Sequence, residues 1–158
     1  MTALGAILIR IKYADGTPSG IFDPGCRNYG DALRIWLPMV RSKGEHRGWY
    51  KGNSTPKQNA RAARALYVRV GESSLAYFLD RRCMHCEGTG VDSDRRTCHH
   101  CKGSKIGELR MREPDRGIAL DLVAELESIE LTHSSRAAHA MRQVDLDAVI
   151  ANARQARK

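Results

Sequence analysis

The chain carries one short unit twice, as Cys83-Met84-His85-Cys86-Glu87-Gly88-Thr89-Gly90 and as Cys98-His99-His100-Cys101-Lys102-Gly103-Ser104-Lys105. Both copies read C-x-x-C-x-G-x-(G/K). Two cysteines separated by two residues can bend around one tetrahedral ion, each thiolate about 2.3 Å from it. The glycine two positions after the second cysteine supplies a positive φ that a Cβ would resist, so the backbone can turn its amides towards the sulfurs. One knuckle is half a site. Cys83, Cys86, Cys98 and Cys101 together make the closed four-thiolate set of one structural Zn2+. Eleven residues lie between Cys86 and Cys98, enough for an excursion that brings the second knuckle opposite the first.

A single C-x-x-C can equally be a redox pair or a disulfide. Two of them with matched glycines favour a metal. His85, His99 and His100 read as polar spacers beside a site whose four positions are already filled. A catalytic zinc would need three protein ligands and an open position, and the His-x-Glu and Pro-Cys-x-x-Cys of zinc deaminases are absent. The expected ion holds structure, and neither an enzymatic activity nor a small-molecule substrate is expected.

At 158 residues the chain can bury a real core. It carries 26 Lys+Arg against 18 Asp+Glu, with a pI near 9.5, which points to an anionic partner. The cations are concentrated: nine lie between Arg34 and Arg69, with Glu45 the one acid among them. The basic run continues around the knuckles. Lys43, Arg47, Lys51, Lys57, Arg61, Arg64, Arg81, Arg82, Arg95, Arg96, Lys102 and Lys105 are the candidate contacts to the phosphates of double-stranded DNA. A solvated charged face is the ordinary alternative. From Glu113 onward acids outnumber bases, eight to six. Five cysteines leave Cys26 over as a free thiol, which fits a reducing compartment. No apolar run reaches the roughly 18 residues of a membrane span and no leader is evident, so a soluble cytoplasmic protein without membrane contact is expected.

Residues 6–13 form a short apolar, partly alternating run, readable as a strand or a short helix, and stop at a dense turn signal over 15–20. Residues 31–37 look helical up to Pro38, with Trp36 as a core anchor. Residues 41–56 read as an irregular basic loop in which Trp49 and Tyr50 either stack on bases or pack down. Pro56 suits the first position of a helix over 57–80. Gly71-Glu72-Ser73-Ser74 can break it, giving two helices with the dimensions of a helix-turn-helix. Ile118, Leu122, Leu126 and Ile129 mark an amphipathic helix over 115–131. Thr132 or Ser134 can cap another helix through Met141, and residues 145–157 give a last amphipathic piece. The expected fold is mainly α, a small helical domain with an inserted four-cysteine knuckle module containing short β-hairpins. It divides into a basic DNA-binding region (1–82), the zinc module (83–105) and a helical region (106–158) packing on the same core.

C-x-x-C-x-G-x-G repeats mark the DnaJ-type cysteine-rich fold. A single pair of them inside a small basic helical protein resembles the late-gene antitermination protein Q family of lambdoid phages. Cys83, Cys86, Gly88, Thr89 and Gly90 match that family's first knuckle, and Cys98, Cys101, Lys102 and Gly103 its second. The excursion is short and Lys105 replaces the last glycine. The likeness covers residues 83–110. It implies a protein of the bacterial host cytoplasm that binds DNA near a late promoter, engages RNA polymerase and carries transcription through terminators. Three other readings compete. A DnaJ-like module for unfolded chains would not need the basic half, and the chain has no J-domain His-Pro-Asp. A zinc-containing repressor would bind DNA without modifying polymerase. A His-metal nuclease would place its histidines outside the cysteine pairs.

Overall fold

The computed structural model describes residues 3–13 and 27–142. The turn signal at 15–20, Cys26 and the piece at 145–157 lie outside the described residues. Among the described residues there are four helices: α1 (Ala3–Tyr13), α2 (Arg27–Arg47), α3 (Pro56–Leu79) and α4 (Asp115–Arg142). The first is a helix and not a strand because its apolar residues follow helical spacing: Leu4, Leu8 and Ile11 are buried, whereas a strand would bury alternate positions.

In α2 the helix continues past Pro38 to Arg47, so the chain does not stop where proline suggested. A proline inside a helix costs about 3 kcal/mol. Ala32, Trp36 and Val40, four residues apart, are each fully buried, and side chains of this kind contribute about 1.5–3 kcal/mol apiece when large. Pro38 itself is on the exposed side, where water can serve the carbonyl it leaves without an amide. The irregular basic loop therefore shrinks to residues 48–55. Within it Trp49 packs edge-on against Tyr67 of α3, ring centres 6.3 Å apart.

Helix α3 starts as expected at Pro56, and the Gln58 carbonyl oxygen accepts from the Thr55 backbone amide (3.3 Å) and hydroxyl (2.9 Å). The expected turn at 71–74 does not exist. Gly71 and Ser74 are buried inside one continuous helix. A Cβ on Gly71 would come within 2.7 Å of Leu37, so the glycine serves the close approach of α2. The Trp36 indole N–H donates to the Gly71 carbonyl (3.2 Å) and the Ser74 hydroxyl (3.3 Å), and Ser74 donates to Gly71 at 2.9 Å. Small and hydroxylated residues that read as a turn are the seat of the largest core side chain. No helix-turn-helix is formed.

Helix α4 is also single. The caps at Thr132 and Ser134 go unused because His133 points inward and packs on Gly5 of α1, where a Cβ would meet it at 3.0 Å. Leu122 and Leu126 are fully buried, with Ile118 and Ile129 packed at the margin of the core. Helix α1 packs on α2 and α4, α2 on α3, and α3 on α4, which closes a four-helix bundle around Trp36, Leu8, Val70, Leu75 and Leu122. The cysteine segment is inserted between α3 and α4. The expected β-hairpins are not found: among the described residues there are no strands, and only isolated bridges pair Arg82 with Ile106 and Val91 with Thr97. No helix among the described residues is long and apolar enough to cross a membrane.

Continuity of α3 is testable at Glu72, which is exposed. Glu72→Pro should destabilise the protein by about 3 kcal/mol or more in urea denaturation, whereas Glu72→Ala should stay within about 0.5 kcal/mol of the parent. Equal tolerance of both changes would mean that the chain turns there.

Candidate metal centre

The two knuckles have one backbone conformation, repeated fifteen residues later (Cys83 to Cys98, Cys86 to Cys101). Glu87 and Lys102 both have φ 50°, Gly88 and Gly103 have φ 81° and 83°, and Gly90 and Lys105 have φ 83° and 66°. Each fourth-to-seventh turn is closed the same way: the Thr89 amide donates to the Cys86 carbonyl (2.8 Å), and the Ser104 amide to that of Cys101 (2.9 Å). The copies then grip one another reciprocally. The Cys83 amide donates to the Lys105 carbonyl and the Cys98 amide to the Gly90 carbonyl, both at 2.9 Å. The Arg82–Ile106 and Val91–Thr97 bridges are equivalents under the same fifteen-residue shift. The knuckles are thus related by an approximate two-fold axis.

The sulfurs meet on that axis. Cys83 Sγ lies 4.0 Å from Cys98 Sγ and Cys86 Sγ 3.7 Å from Cys101 Sγ, and all four ligand atoms are within 4.8 Å of one another. A disulfide would need about 2.05 Å. Sulfurs at tetrahedral corners, about 2.3 Å from a common ion, stand about 3.8 Å apart. All four cysteines are buried, Cys98 completely, and they form a cluster of their own, separate from the helical core. This buried group can hold a metal ion.

Electrostatics in the ion-free set point the same way. Burial opposes charge on Cys86, but the Gly90 amide (3.3 Å from Sγ), the thiols of Cys101 and Cys83 and the Gly88 amide outweigh it and bring the group down to about 6. For Cys98 the Cys101 and His100 amides favour the thiolate, yet burial and the shared hydrogen bonds with Cys101 and Cys86 raise the thiol to about 11. The site carries a thiolate ready for a cation, and the remaining protons must leave as the cation enters.

The module is tied to the bundle on both sides. The Gly107 amide donates to the Arg81 carbonyl (2.8 Å), the Tyr77 hydroxyl donates to the Gly107 carbonyl (3.0 Å), and Leu109 enters the main core. Gly107 is required there, since a Cβ would come within 3.1 Å of the Arg82 carbonyl oxygen.

The candidate DNA-contacting cations fall into two groups. Lys43 pairs with Glu125, Arg47 with Asp121 (3.6 Å), Arg81 with Glu127 (2.5 Å) and Arg82 with Asp80 (2.8 Å). Lys12 pairs with Glu130 and Arg69 with Asp115. All five acids of α4 are therefore matched to cations of the rest of the bundle, and the acidic end is not a free acidic face. Lys51, Lys57, Arg61, Arg64, Arg95, Arg96, Lys102 and Lys105 are exposed and have no ion-pair partner among the described residues. Lys57, Arg61 and Arg64 share one face of α3 at helical spacing.

Sequence reasoning passed over two features. Glu87 and Lys102 sit in the left-handed region directly before the glycines, a position that residue type does not reveal. His85, His99 and His100 also converge, their ligand atoms within 4.8 Å of one another. Burial, then His85 and His99, push the His100 pKa down. The signal for this convergence was available, because His85 and His100 both hold the third position of their C-x-x-C.

No protein-family model, curated protein or solved structure matches the chain.

Loss of one ligand tests the centre. Cys98→Ser should abolish tight metal retention and remove hydrogen-exchange protection across 83–105, because binding free energies of about 10–16 kcal/mol serve as folding free energy in small zinc modules. Bundle helicity, which rests on a separate core, should largely persist. A metal-free protein with residues 83–105 fully protected would refute the structural role.

Proposed function

We propose that the protein is a transcription antitermination factor of the late phage type, with one structural Zn2+ at Cys83, Cys86, Cys98 and Cys101. In this reading it binds double-stranded DNA beside a promoter and modifies bacterial RNA polymerase so that it reads through terminators. Zinc is the ion that four thiolates at tetrahedral spacing suit best. The ion carries no chemistry beyond holding the knuckles together, and the protein acts by binding.

The observation that supports DNA contact most directly is the exposed stripe Lys57-Arg61-Arg64 on α3, whose cations have no ion-pair partner among the described residues. Helix α3 leads straight into the knuckles, where Arg95, Arg96, Lys102 and Lys105 extend the same positive character. Two of these lysines occupy left-handed backbone, φ 50° and 66°, where an ordinary side chain costs roughly 1–2 kcal/mol. Strain of this kind is retained where the residue serves a function. Lys43, Arg47, Arg81 and Arg82, already ion-paired, contribute less. A polymerase contact falls to the outer side of α4, where Leu131 and Met141 are exposed. The resemblance of the knuckles to the antitermination family is what favours polymerase as that partner.

Phosphate contact has a measurable slope. The logarithm of DNA affinity should fall with the logarithm of salt by roughly 0.9 per contact. Replacing Lys57, Arg61 and Arg64 together with Ala should reduce that slope by about 2.7 and weaken all DNA sequences alike. The double change of Lys43 and Arg47 should reduce it less. An affinity indifferent to salt would return the stripe to a solvated surface.

Antitermination is separated from simple repression by transcription in vitro. With bacterial RNA polymerase on a template carrying the cognate promoter region and a downstream terminator, added protein should raise read-through only when its DNA element adjoins the promoter. The enzyme should keep that property after leaving it. Binding to the element with blocked initiation and unchanged read-through would leave a zinc-containing repressor.

A further inference from the structure

The knuckle duplication creates a second cluster besides the sulfurs. His85 and His100 are equivalents under the fifteen-residue shift, so the axis that joins the cysteines also brings these rings together, centres 4.0 Å apart and planes tilted by 53°. His99 completes the group, 4.8 Å from His85 and 4.1 Å from His100 between ring centres. All three are exposed, and one ring nitrogen from each lies within 4.8 Å of the other two. We propose that His85, His99 and His100 form a second metal site, three-coordinate in protein ligands and open to solvent, for a borderline divalent cation such as Zn2+, Ni2+, Co2+ or Cu2+.

The chemistry of the donor set selects this ligand class. Imidazole nitrogen suits these ions, while Mg2+ and Ca2+ require oxygen donors that the cluster does not offer. Nitrogens about 2.1 Å from a tetrahedral ion stand about 3.4 Å apart, so small side-chain rotations suffice to close the group. The backbone beneath needs no movement: each histidine lies within a C-x-x-C, held by the reciprocal amide bonds of Cys83 and Cys98. Packing alone explains the cluster poorly, because exposed rings bury little surface. Three ligands leave a fourth position to water or to a donor from another molecule. That open position makes the ion exchangeable, in contrast to the closed four-sulfur set beside it. The proposal is independent of DNA binding and antitermination.

Untagged protein, stripped of loosely held metal by gel filtration so that only tight metal remains, is titrated with Co2+ and, separately, Zn2+. The expected result is one further equivalent per chain. The added Co2+ should give d–d absorption without new sulfur-to-metal charge transfer, and added Zn2+ should shift the side-chain nitrogen resonances of His85, His99 and His100 while leaving those of His46 and His139 in place. The variant His85→Gln/His100→Gln should lose that equivalent and keep the tight one with its hydrogen-exchange protection over 83–105. No further equivalent in the parent, or an equivalent that survives in the variant, would overturn the proposal. Failure of the cysteine centre would be seen separately, as absence of tightly held metal before the titration begins.

Discussion

Residues 83–106 have no apolar core of their own; what they bury is sulfur, and everything else about the segment follows from bringing four sulfurs to one point. The reciprocal bonds from the Cys83 and Cys98 amides fix the two knuckles as mates, and Cys98 is wholly withdrawn from water at their junction. Thiolates packed this closely repel, and thiols packed this closely leave weak donors and acceptors poorly matched. A cation removes both difficulties at once. The module meets the bundle where α3 enters it and where the chain leaves towards α4 by way of Gly107 and Leu109.

The bundle shows how an overall charge can mislead about a surface. Four cations of the first half, Lys43, Arg47, Arg69 and Lys12, face the acids of α4, meeting Glu125, Asp121, Asp115 and Glu130 in turn. Partly exposed pairs contribute about 0–1 kcal/mol each, small beside the burial of Trp36, Leu75 and Leu122. Their larger consequence is to remove charge from the list of free contacts. Among the candidate contacts, what remains uncompensated is Lys51, a stripe on α3, the arginines of the excursion and the second knuckle.

The metal centre was legible in the sequence because its chemistry is local: spacing, residue type and glycine placement lie within two short units. The helical class was legible for the same reason in α3, with Thr55, Pro56 and Gln58, and in the Leu122–Leu126 face of α4. The misread places share a different cause. Gly71 and Ser74 look like a turn until Leu37 is seen to need a residue without a Cβ and Trp36 a backbone carbonyl and a hydroxyl. Pro38 looks like a stop until the buried face of Ala32, Trp36 and Val40 is counted against it. Thr132 and Ser134 look like caps until His133 meets Gly5. In each case burial against another helix outweighed a local preference. The β-hairpins failed for a simpler reason: the knuckle turns use so many left-handed residues that only single bridges fit between them.

Equal backbones with unequal surfaces give the module its direction. Where the first copy has Glu87 and Gly90, the second has Lys102 and Lys105, and the excursion between them adds Arg95 and Arg96. The fold does not require this asymmetry, since Gly90 shows that glycine satisfies the last turn without strain at φ 83°. A lysine at φ 66° in the equivalent place is a local cost accepted for a charge on one side of the axis. The first copy instead exposes Met84. The symmetric cysteine knot therefore carries lysines on its second copy where the first has an acid and a glycine. An element that only had to close the end of a helical bundle would have no use for such a polarity.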